Sequence, residues 1–490
     1  MNEIFMPIVI FIPILLGITI PFVPYKNRKQ MMLYIESIIL LTSVIAVMLI
    51  MNRPENSFVL FSFAGDLKVG FALDGVGSVF VGIVSLLWPL ATLYAFEYME
   101  HENHQRSFFT FYTMTYGVTL GIALSKDILT MYIFYEMLTM VTLPLIIHSL
   151  SKEAIHATRK YLYYSLGGAA FAFIGVVFIL IYGSSPDFSA GGVLNLVALG
   201  DKQGLLIFIY FLCFCGFSVK AAMCPFSSWL PTAGVAPTPV TALLHAVAVV
   251  KAGAFACIRV TYFSFGTELL KGSWAQNIIL CLTIFTIVYG CSRAVKETHI
   301  KRRLAWSTVS NLSYILFGCA LMTPAGLLGA LTHMVFHAVM KITSFFTAGA
   351  IMHKSHKNYV HELDGLGRKM PITFIVYTVS ALALMGVPGL CGFISKWYLA
   401  NAAMDCGTVL GYVGIAALLI SALLTVIYMV SITVRAFFPG KDFDYKKLEG
   451  ISDPSWQMLL PLCLFVVAMF VFGLHSQPLV DMLIEIVSVL

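Results

Sequence analysis

Long apolar runs recur along the whole chain, and they constrain its fold more than any other feature. Each run is about 20 residues long, the length of an α-helix that crosses a hydrocarbon layer of ~30 Å. The first run, residues 4–24, has no basic region before it and no small-residue cleavage site after it, so we expect it to be retained as a membrane span. The pattern predicts an all-α polytopic membrane protein.

Fourteen such runs predict about 14 transmembrane helices, with both termini on one side of the membrane. The connections between them are loop-sized, which indicates that no soluble domain is inserted. Charged residues make up 11% of the 490 positions, against roughly 25% in soluble domains, so a water-soluble fold is excluded. The runs lie approximately at residues 4–24, 31–51, 76–96, 108–125, 127–150, 160–183, 204–224, 238–262, 275–295, 302–322, 325–352, 371–402, 408–437 and 455–475.

Positive charge is distributed unevenly between the two sets of connections. Lysine and arginine number 20 in the odd-numbered connections and 6 on the other side. Cytoplasmic loops retain positive charge, so the asymmetry predicts that both termini lie outside the cytoplasm. It also accounts for most of the net charge of +6, and no aromatic-interleaved basic patch suggests a nucleic-acid partner.

Four lysines, Lys220, Lys251, Lys341 and Lys396, fall inside predicted spans together with Glu136. An ionised group at the bilayer centre costs about 2.5–3.5 kcal/mol on insertion scales, so such residues are rare unless they have a function or a partner. The alternative is that each lysine reaches an interface or fixes a helix pair through a salt bridge. The concentration of these residues favours an ion path.

Two of these lysines adjoin a predicted break in a helix. Lys220 precedes Pro225 in the seventh run, and Lys396 follows the glycine-rich stretch 386–392 in the twelfth. Interrupted spans at equivalent positions of two halves point to inverted repeats and a transport site. A proline in a membrane helix can also be a simple kink, so the two breaks together, rather than either one alone, indicate a transport site.

Histidines accompany the lysines in the same spans. His333, His337 and Lys341 follow an i, i+4, i+8 pattern and line one side of the eleventh run, where they could pass protons. His245 lies six residues before Lys251, on a different face of a regular helix, so the two share a path only through water or a local helix distortion. The sequence suggests no pair of histidines on facing helices that could hold a haem, and no cysteine or carboxylate ligands beside the histidines that could complete a metal site. The ten cysteines occur singly or without CxxC spacing, so we expect no metal or cofactor.

Several stretches resemble a known family. PFSSWLPTAGVAPTPVTALLHAVAVVKAG at 225–253, KRRLAWSTVS at 301–310, HMVFHAVMKITSFFTAG at 333–349 and GVPGLCGFISKW at 386–397 look like the antiporter-like membrane subunits shared by respiratory complex I, Mrp-type cation/proton antiporters and proton-pumping membrane-bound hydrogenases. The resemblance covers roughly residues 70–440. It implies a bacterial or archaeal cytoplasmic membrane location, neighbouring membrane subunits, lipid, and a possible peripheral redox arm.

The resemblance also implies an ion path and an architecture. By motif match, Glu136 pairs with Lys220, Lys251 and His245 continue inward, and Lys396 ends the route, with His333, His337 and Lys341 between. The implied fold has N-terminal helices 1–3 at 1–107, a first inverted five-helix repeat at 108–262, a second at 275–437, and helix 14 at 438–490, with helices 7 and 12 broken.

The chain departs from the family pattern in places. Many relatives have histidine at the positions of Ser227 and Gly234, and aspartate is usual where His299 stands, which puts the route from one side in doubt. Lysine at 396 favours a resemblance to the Mrp D type. The lack of a long amphipathic extension after the last span argues against the subunit that carries a lateral helix.

The leading interpretation is a proton-translocating, or Na⁺/H⁺-translocating, subunit of a redox-driven pump or Mrp-type antiporter, with no redox chemistry of its own. A redox-driven complex of this kind would be NADH dehydrogenase-like or hydrogenase-like. A stand-alone secondary solute transporter is the alternative, but no substrate-sized polar cluster is evident. A non-conducting scaffold would be expected to lack the buried charges, and a redox enzyme would need a nucleotide loop, metal spacing or a haem pair.

Overall fold

Helices make up most of the computed structural model, which describes residues 2–54, 56–65, 67–441 and 443–490. In chain order they are α1 Phe5–Thr19, α2 Arg28–Asn52, α3 Gly75–Tyr98, α4 Gln105–Ala123, α5 Ile128–Ile146, α6 Lys152–Tyr182, α7 Leu196–Leu199, α8 Gln203–Ser218, α9 Trp229–Thr232, α10 Thr238–Ala242, α11 Val249–Ile258, α12 Thr267–Leu270, α13 Trp274–Lys296, α14 Ile300–Ala320, α15 Pro324–Ser355, α16 Pro371–Met385, α17 Cys391–Asp405, α18 Val409–Phe437, α19 Trp456–Leu474 and α20 Gln477–Val487.

Within the described ranges, ten helical stretches are long and apolar enough to cross a membrane, which confirms a polytopic membrane fold. Helix α1 has 15 residues and is shorter than the predicted first span. The total of fourteen crossings stays a prediction.

Side-chain caps set the start of several of these helices. Asn27 accepts a hydrogen bond from the backbone N–H of Gln30 at 2.9 Å at the start of α2. Asp127 does the same for Thr130 at 2.7 Å at the start of α5. Such caps satisfy backbone donors that the first turn of a helix leaves unpaired. They hold the ends of membrane helices at fixed positions along the chain.

The helices that carry most of the predicted ionisable residues lie inside the bundle. The apolar window of α15 is 94% buried, and the window within Thr238–Phe265 is 100% buried. Helix α15 packs against α14, α16, α17 and α19. A helix surrounded in this way presents its polar side chains to other helices rather than to lipid.

Two helices are interrupted where the sequence predicts. Helix α8 ends at Ser218, and the chain passes Ala222, whose φ is +55°, before it forms short helical turns from Phe226. Between α16 and α17 the chain turns at Gly386, whose φ of +91° favours glycine. Each interruption frees backbone carbonyls inside the bundle.

The structure departs from the predicted all-α fold at one hairpin. Strands β1 Phe58–Ala64 and β2 Leu67–Phe71 pair antiparallel, with Phe58 opposite Phe71. The first strand has the sequence FVLFSFA, which is rich in aromatic and aliphatic residues, a composition that favours strands. The all-α prediction is therefore wrong for this connection between α2 and α3.

Three basic residues counted in loops are in fact buried. Arg259, Lys301 and Arg303 are 1%, 5% and 7% exposed. Arg259 forms a bidentate ion pair with Asp74, and Lys301 and Arg303 donate hydrogen bonds to backbone carbonyls. The chain is helical at all three positions, so the prediction that they lie in loops is wrong. Apolar runs locate helix ends only to within a turn or two. The charge asymmetry keeps its sign without them.

Candidate functional site

Most of the predicted ionisable residues are fully enclosed. Six have no exposed surface: Lys220, His245, Lys251, His333, His337 and Lys341. Glu136 and Lys396 are partly exposed. Six buried basic side chains in an apolar bundle are costly unless each has a partner or can shed its proton.

Lys220 lies beside the helix that carries Glu136. Its Nζ donates a hydrogen bond to the backbone carbonyl of Tyr135, the residue before Glu136, and lies 3.3 Å from the centre of the Tyr135 ring. In the described chain the two side chains form no direct ion pair. Glu136 Oε1 is buried without a hydrogen-bond partner in this structure. Lys220 therefore contacts Tyr135, the residue next to Glu136 in the chain, rather than Glu136 itself.

Lys251 and His337 are in direct contact. Lys251 Nζ lies 3.0 Å from His337 Nδ1, which joins α11 to α15. An ammonium has only donors, so the imidazole nitrogen accepts when the lysine is charged; a neutral amine can accept as well as donate, so it accepts when Nδ1 carries the proton. The pair is arranged to share one proton.

The histidine row continues from this pair along α15. The rings of His337 and His333 have centroids 5.6 Å apart, and His333 Nδ1 lies 2.9 Å from Ser395 Oγ on α17. The Nε2 atoms of both histidines are buried with no hydrogen-bond partner in the described structure. Ser395 precedes Lys396, so the row runs from Lys251 to the neighbour of Lys396.

Lys396 occupies the second helix interruption. Its Nζ donates to the carbonyls of Leu384 and Met385, at 2.7 and 2.9 Å. These are carbonyls at the end of α16, where a cation also meets the negative end of the helix dipole. The lysine lies 5.6 Å from the centre of the Tyr314 ring. Its side chain therefore caps a broken helix inside the bundle.

His245 lies on a distorted helix. Residues Leu243–Val247 form a π-helix, and the backbone of Ala248 leaves helical geometry at φ −95° and ψ −83°. A local helix distortion, one of the two ways in which His245 can share a path with Lys251, is thus present, and the shared path stays a prediction. Neither ring nitrogen has a hydrogen-bond partner among the described residues, and the ring lies 4.7 Å from that of Phe345.

Lys341 points away from the histidine row. Its Nζ donates to Ser307 Oγ at 2.6 Å and to the carbonyl of Leu304 at 3.4 Å, both on α14. The predicted stripe of α15 therefore divides, with the histidines facing α11 and α17 and the lysine facing α14. Helical spacing gives the face of a residue, whereas a flexible lysine stem sets where the ammonium lies.

The ion pair between buried Arg259 and partly exposed Asp74 escaped prediction. Arg259 Nη2 lies 2.6 Å from Asp74 Oδ1, and the same oxygen caps α3 by accepting from Gly77 N–H at 2.8 Å. The guanidinium also lies within 5.1 Å of the rings of Phe255 and Phe263. The sequence signal was a single arginine flanked by apolar residues in a run that continues past it.

A sequence profile described as "NADH:quinone oxidoreductase/Mrp antiporter, TM" matches residues 125–425. A second, described as "NADH-Ubiquinone oxidoreductase (complex I), chain 5 N-terminus", matches residues 61–109. The first match covers the helices that carry the predicted path residues, which are called the buried row below: Glu136, Lys220, His245, Lys251, His333, His337, Lys341 and Lys396.

Similar proteins are known from several membrane complexes. NADH-quinone oxidoreductase subunit N of Desulforudis audaxviator is 27% identical over 430 residues, which cover 85% of this chain and 84% of that protein. Na⁺/H⁺ antiporter subunit A1 of Staphylococcus aureus strain Newman is 27% identical over 84% of this chain, which spans about half of that longer protein (53%).

Solved structures have the same fold. A chain from the structure of the membrane-bound sulfane sulfur reductase, described as an archaeal respiratory membrane complex, superposes with a TM-score of 0.85 at 21% identity. The match covers 99% of this chain and 97% of that one.

Proposed function

The chain belongs to the NADH:quinone oxidoreductase/Mrp antiporter family of membrane subunits, and from this premise we propose that it moves protons, alone or in exchange for Na⁺, along its buried row of lysine, glutamate and histidine. The chain is a multi-span membrane subunit, and its relatives are subunits of multisubunit membrane complexes. The ion, its path and the driving complex belong to the proposal.

The contact between Lys251 and His337 carries the proposal. Both side chains are enclosed, and their nitrogens are 3.0 Å apart. A purely structural contact at this depth would be served by apolar side chains at lower cost. Two groups that each bind and release a proton, placed in hydrogen-bond contact, provide a step of proton transfer.

The transfer continues in both directions from this pair. Toward α17 the proton passes from His337 to His333, and then by Ser395 to Lys396. Toward α5 the row reaches Lys220, whose ammonium lies beside the peptide that precedes Glu136. Internal water or side-chain rotation fills the steps that no direct hydrogen bond bridges.

Glu136 sets the charge of Lys220 in this mechanism. A carboxylate near a buried ammonium favours the charged lysine, whereas burial favours the neutral amine. A change of distance or charge at Glu136 therefore changes how readily Lys220 passes its proton inward. This makes the partly exposed end of the row a gate for the enclosed part.

The proposed architecture has 14 crossings, with inverted repeats at 108–262 and 275–437 and both termini outside the cytoplasm. The two interruptions support it, because each lies beside one lysine of the row, Lys220 in one repeat and Lys396 in the other. The proposed partners are other membrane subunits and lipid, with a peripheral redox arm if the complex is redox-driven.

Replacement of Lys251 by methionine tests the proposal. Met retains a flexible apolar stem but cannot carry a proton, so ion movement by the intact complex in membrane vesicles should be lost. The matched control is Lys271→Met, because Lys271 is exposed. A Lys251→Met complex that assembles and moves ions at the wild-type rate contradicts the proposal.

A further inference from the structure

Buried hydroxyl and thiol groups connect three helices next to the histidine row. They come from one face of α14, where Ser307, Ser310 and Tyr314 are spaced i, i+3, i+7, and from α18 and α13. On the facing side are Ser421 and Tyr428 of α18 and Cys291 of α13, and no member of the group is more than 1% exposed. No residue of this cluster belongs to the buried row, although its first hydroxyl is bonded to Lys341.

The hydrogen bonds of the cluster begin at Ser307, which is bonded to Lys341 of the row. Lys341 Nζ lies 2.6 Å from Ser307 Oγ, and Ser307 Oγ lies 2.6 Å from the hydroxyl of Tyr428. The Tyr428 hydroxyl lies 3.1 Å from Thr425 Oγ1 on the next turn of α18. Short hydrogen bonds thus lead from the lysine of α15, across α14, to α18.

A thiol joins this segment to the rest of the cluster. Cys291 Sγ is 4.0 Å from the Tyr428 hydroxyl and 3.8 Å from Thr425 Oγ1. It is also 2.9 Å from Ser421 Oγ, which accepts a hydrogen bond from the hydroxyl of Tyr314 at 2.9 Å. The connection ends at Tyr314, whose ring faces Lys396 at 5.6 Å.

Simple helix packing explains only some of these contacts. Thr425 donates to the carbonyl of Ser421 four residues earlier, a common position for a threonine hydroxyl in a helix. The contacts of Tyr428 with Ser307, of Tyr314 with Ser421 and of Cys291 with Ser421 Oγ run instead from side chain to side chain across helices. Side-chain-to-side-chain bonds are the minority class in proteins, and here they follow one another end to end.

Hydroxyl and thiol groups can each accept one proton while they release another. A proton given by the Lys341 ammonium to Ser307 Oγ is matched by release of the Ser307 hydroxyl proton to Tyr428, and so on along the chain. Each group ends with one proton, so only the lysines change charge. The O···O separations of 2.6–3.1 Å leave no space for a hydrated cation between the hydroxyl groups, and the cluster includes no carboxylate to replace a hydration shell.

We propose that this hydroxyl and thiol cluster is a proton-selective branch between Lys341 and Lys396, parallel to the route through His337 and His333. The inference rests on the proposed function and adds that this branch excludes Na⁺. The last step requires the Lys396 side chain to turn from the carbonyls of α16 toward the Tyr314 hydroxyl, a movement its position at a helix interruption allows.

Replacement of the thiol distinguishes a relay from packing. Cys291→Ala and Cys291→Ser differ little in size, but only serine carries a transferable proton. In the native complex reconstituted in vesicles, with flux driven by a potassium diffusion potential, Cys291→Ala and Tyr428→Phe should lower proton movement by about twofold or more. Cys291→Ser should restore most of it. Tyr377→Phe is the control, because Tyr377 is buried and contacts α18 outside the cluster.

Two results would overturn the branch. One is an unchanged proton flux in Tyr428→Phe and Cys291→Ala; the other is equal loss in the alanine and serine variants, which indicates packing. If Lys251→Met also leaves the flux unchanged, the proposed function fails as well; if Lys251→Met abolishes it, only the branch is wrong. The infrared S–H band of Cys291, isolated by difference from Cys291→Ser, should shift in Ser421→Ala, and an unshifted band shows that the thiol contact is absent.

Discussion

Lys251 Nζ and His337 Nδ1 lie 3.0 Å apart with neither side chain exposed, so the two groups cannot easily be charged together. At an effective dielectric constant of about 20, two like charges at this separation repel by about 5 kcal/mol. A proton on one therefore disfavours a proton on the other. This exclusion makes the contact a transfer step that responds to charge on either side.

Lys251→Arg should lose ion transport although it keeps the positive charge. A guanidinium does not release its proton in proteins, so it cannot hand one to His337. Ion flux in vesicles measures the effect, with Lys271→Arg as the exposed control. Wild-type flux in an assembled Lys251→Arg complex would indicate that charge alone is needed, and would contradict the transfer step.

Glu136→Gln should reduce transport severely, whereas Glu136→Asp should retain partial activity. Glutamine removes the negative charge that favours the charged form of Lys220, and aspartate keeps it on a shorter stem. The two variants are compared by ion flux at equal complex content. Equal flux in both would show that the charge at this position does not matter.

Lys396→Glu should be tolerated better than Lys396→Leu. The end of the row needs a titratable group rather than a particular sign, and leucine supplies none. Proton movement measured in vesicles with both variants decides the point. If glutamate and leucine variants have the same residual rate, titration at residue 396 has no role.

His299 should reduce stability in acid. It lies in the connection between α13 and α14, where burial and then the neighbouring Lys301 and Arg302 lower its pKa to about 4. Folding therefore favours the neutral imidazole, a contribution that is complete above about pH 6.5 and lost as the pH falls toward 4. His299→Gln should show a smaller drop in Tm between about pH 7 and pH 5 than wild type. An equal or larger drop would contradict the shifted pKa.

The enclosed lysines of the row were predictable because a charge in an apolar run has a large energetic cost. The breaks beside Lys220 and Lys396 were predictable for a different reason, since proline and clustered glycines disfavour a continuous helix. Arg259 was missed because hydropathy does not separate the last turn of a helix from a loop. Its partner, Asp74, is 185 residues away along the chain, a relationship that only the tertiary fold reveals.

The hydroxyl cluster could not have been identified from composition. Serine, threonine and tyrosine have little cost in a membrane helix, so their presence in α14 and α18 gives no signal. The spacing of Ser307, Ser310 and Tyr314 places them on one helix face, but which helix faces them is fixed by packing. The direction of Lys341 was missed for the same reason, because the row and the cluster are both within reach of its side chain.

Ion movement in a Lys220→Ala complex tests the central claim most directly. Lys220 is fully buried at the interruption after α8, where alanine removes the ammonium and leaves the short helical turns in place. Lys202→Ala is the control, because Lys202 is exposed on the same segment of the chain. The account predicts that Lys220→Ala assembles with its partner subunits but no longer moves ions, whereas Lys202→Ala does both. Wild-type ion movement in a fully assembled Lys220→Ala complex would contradict it.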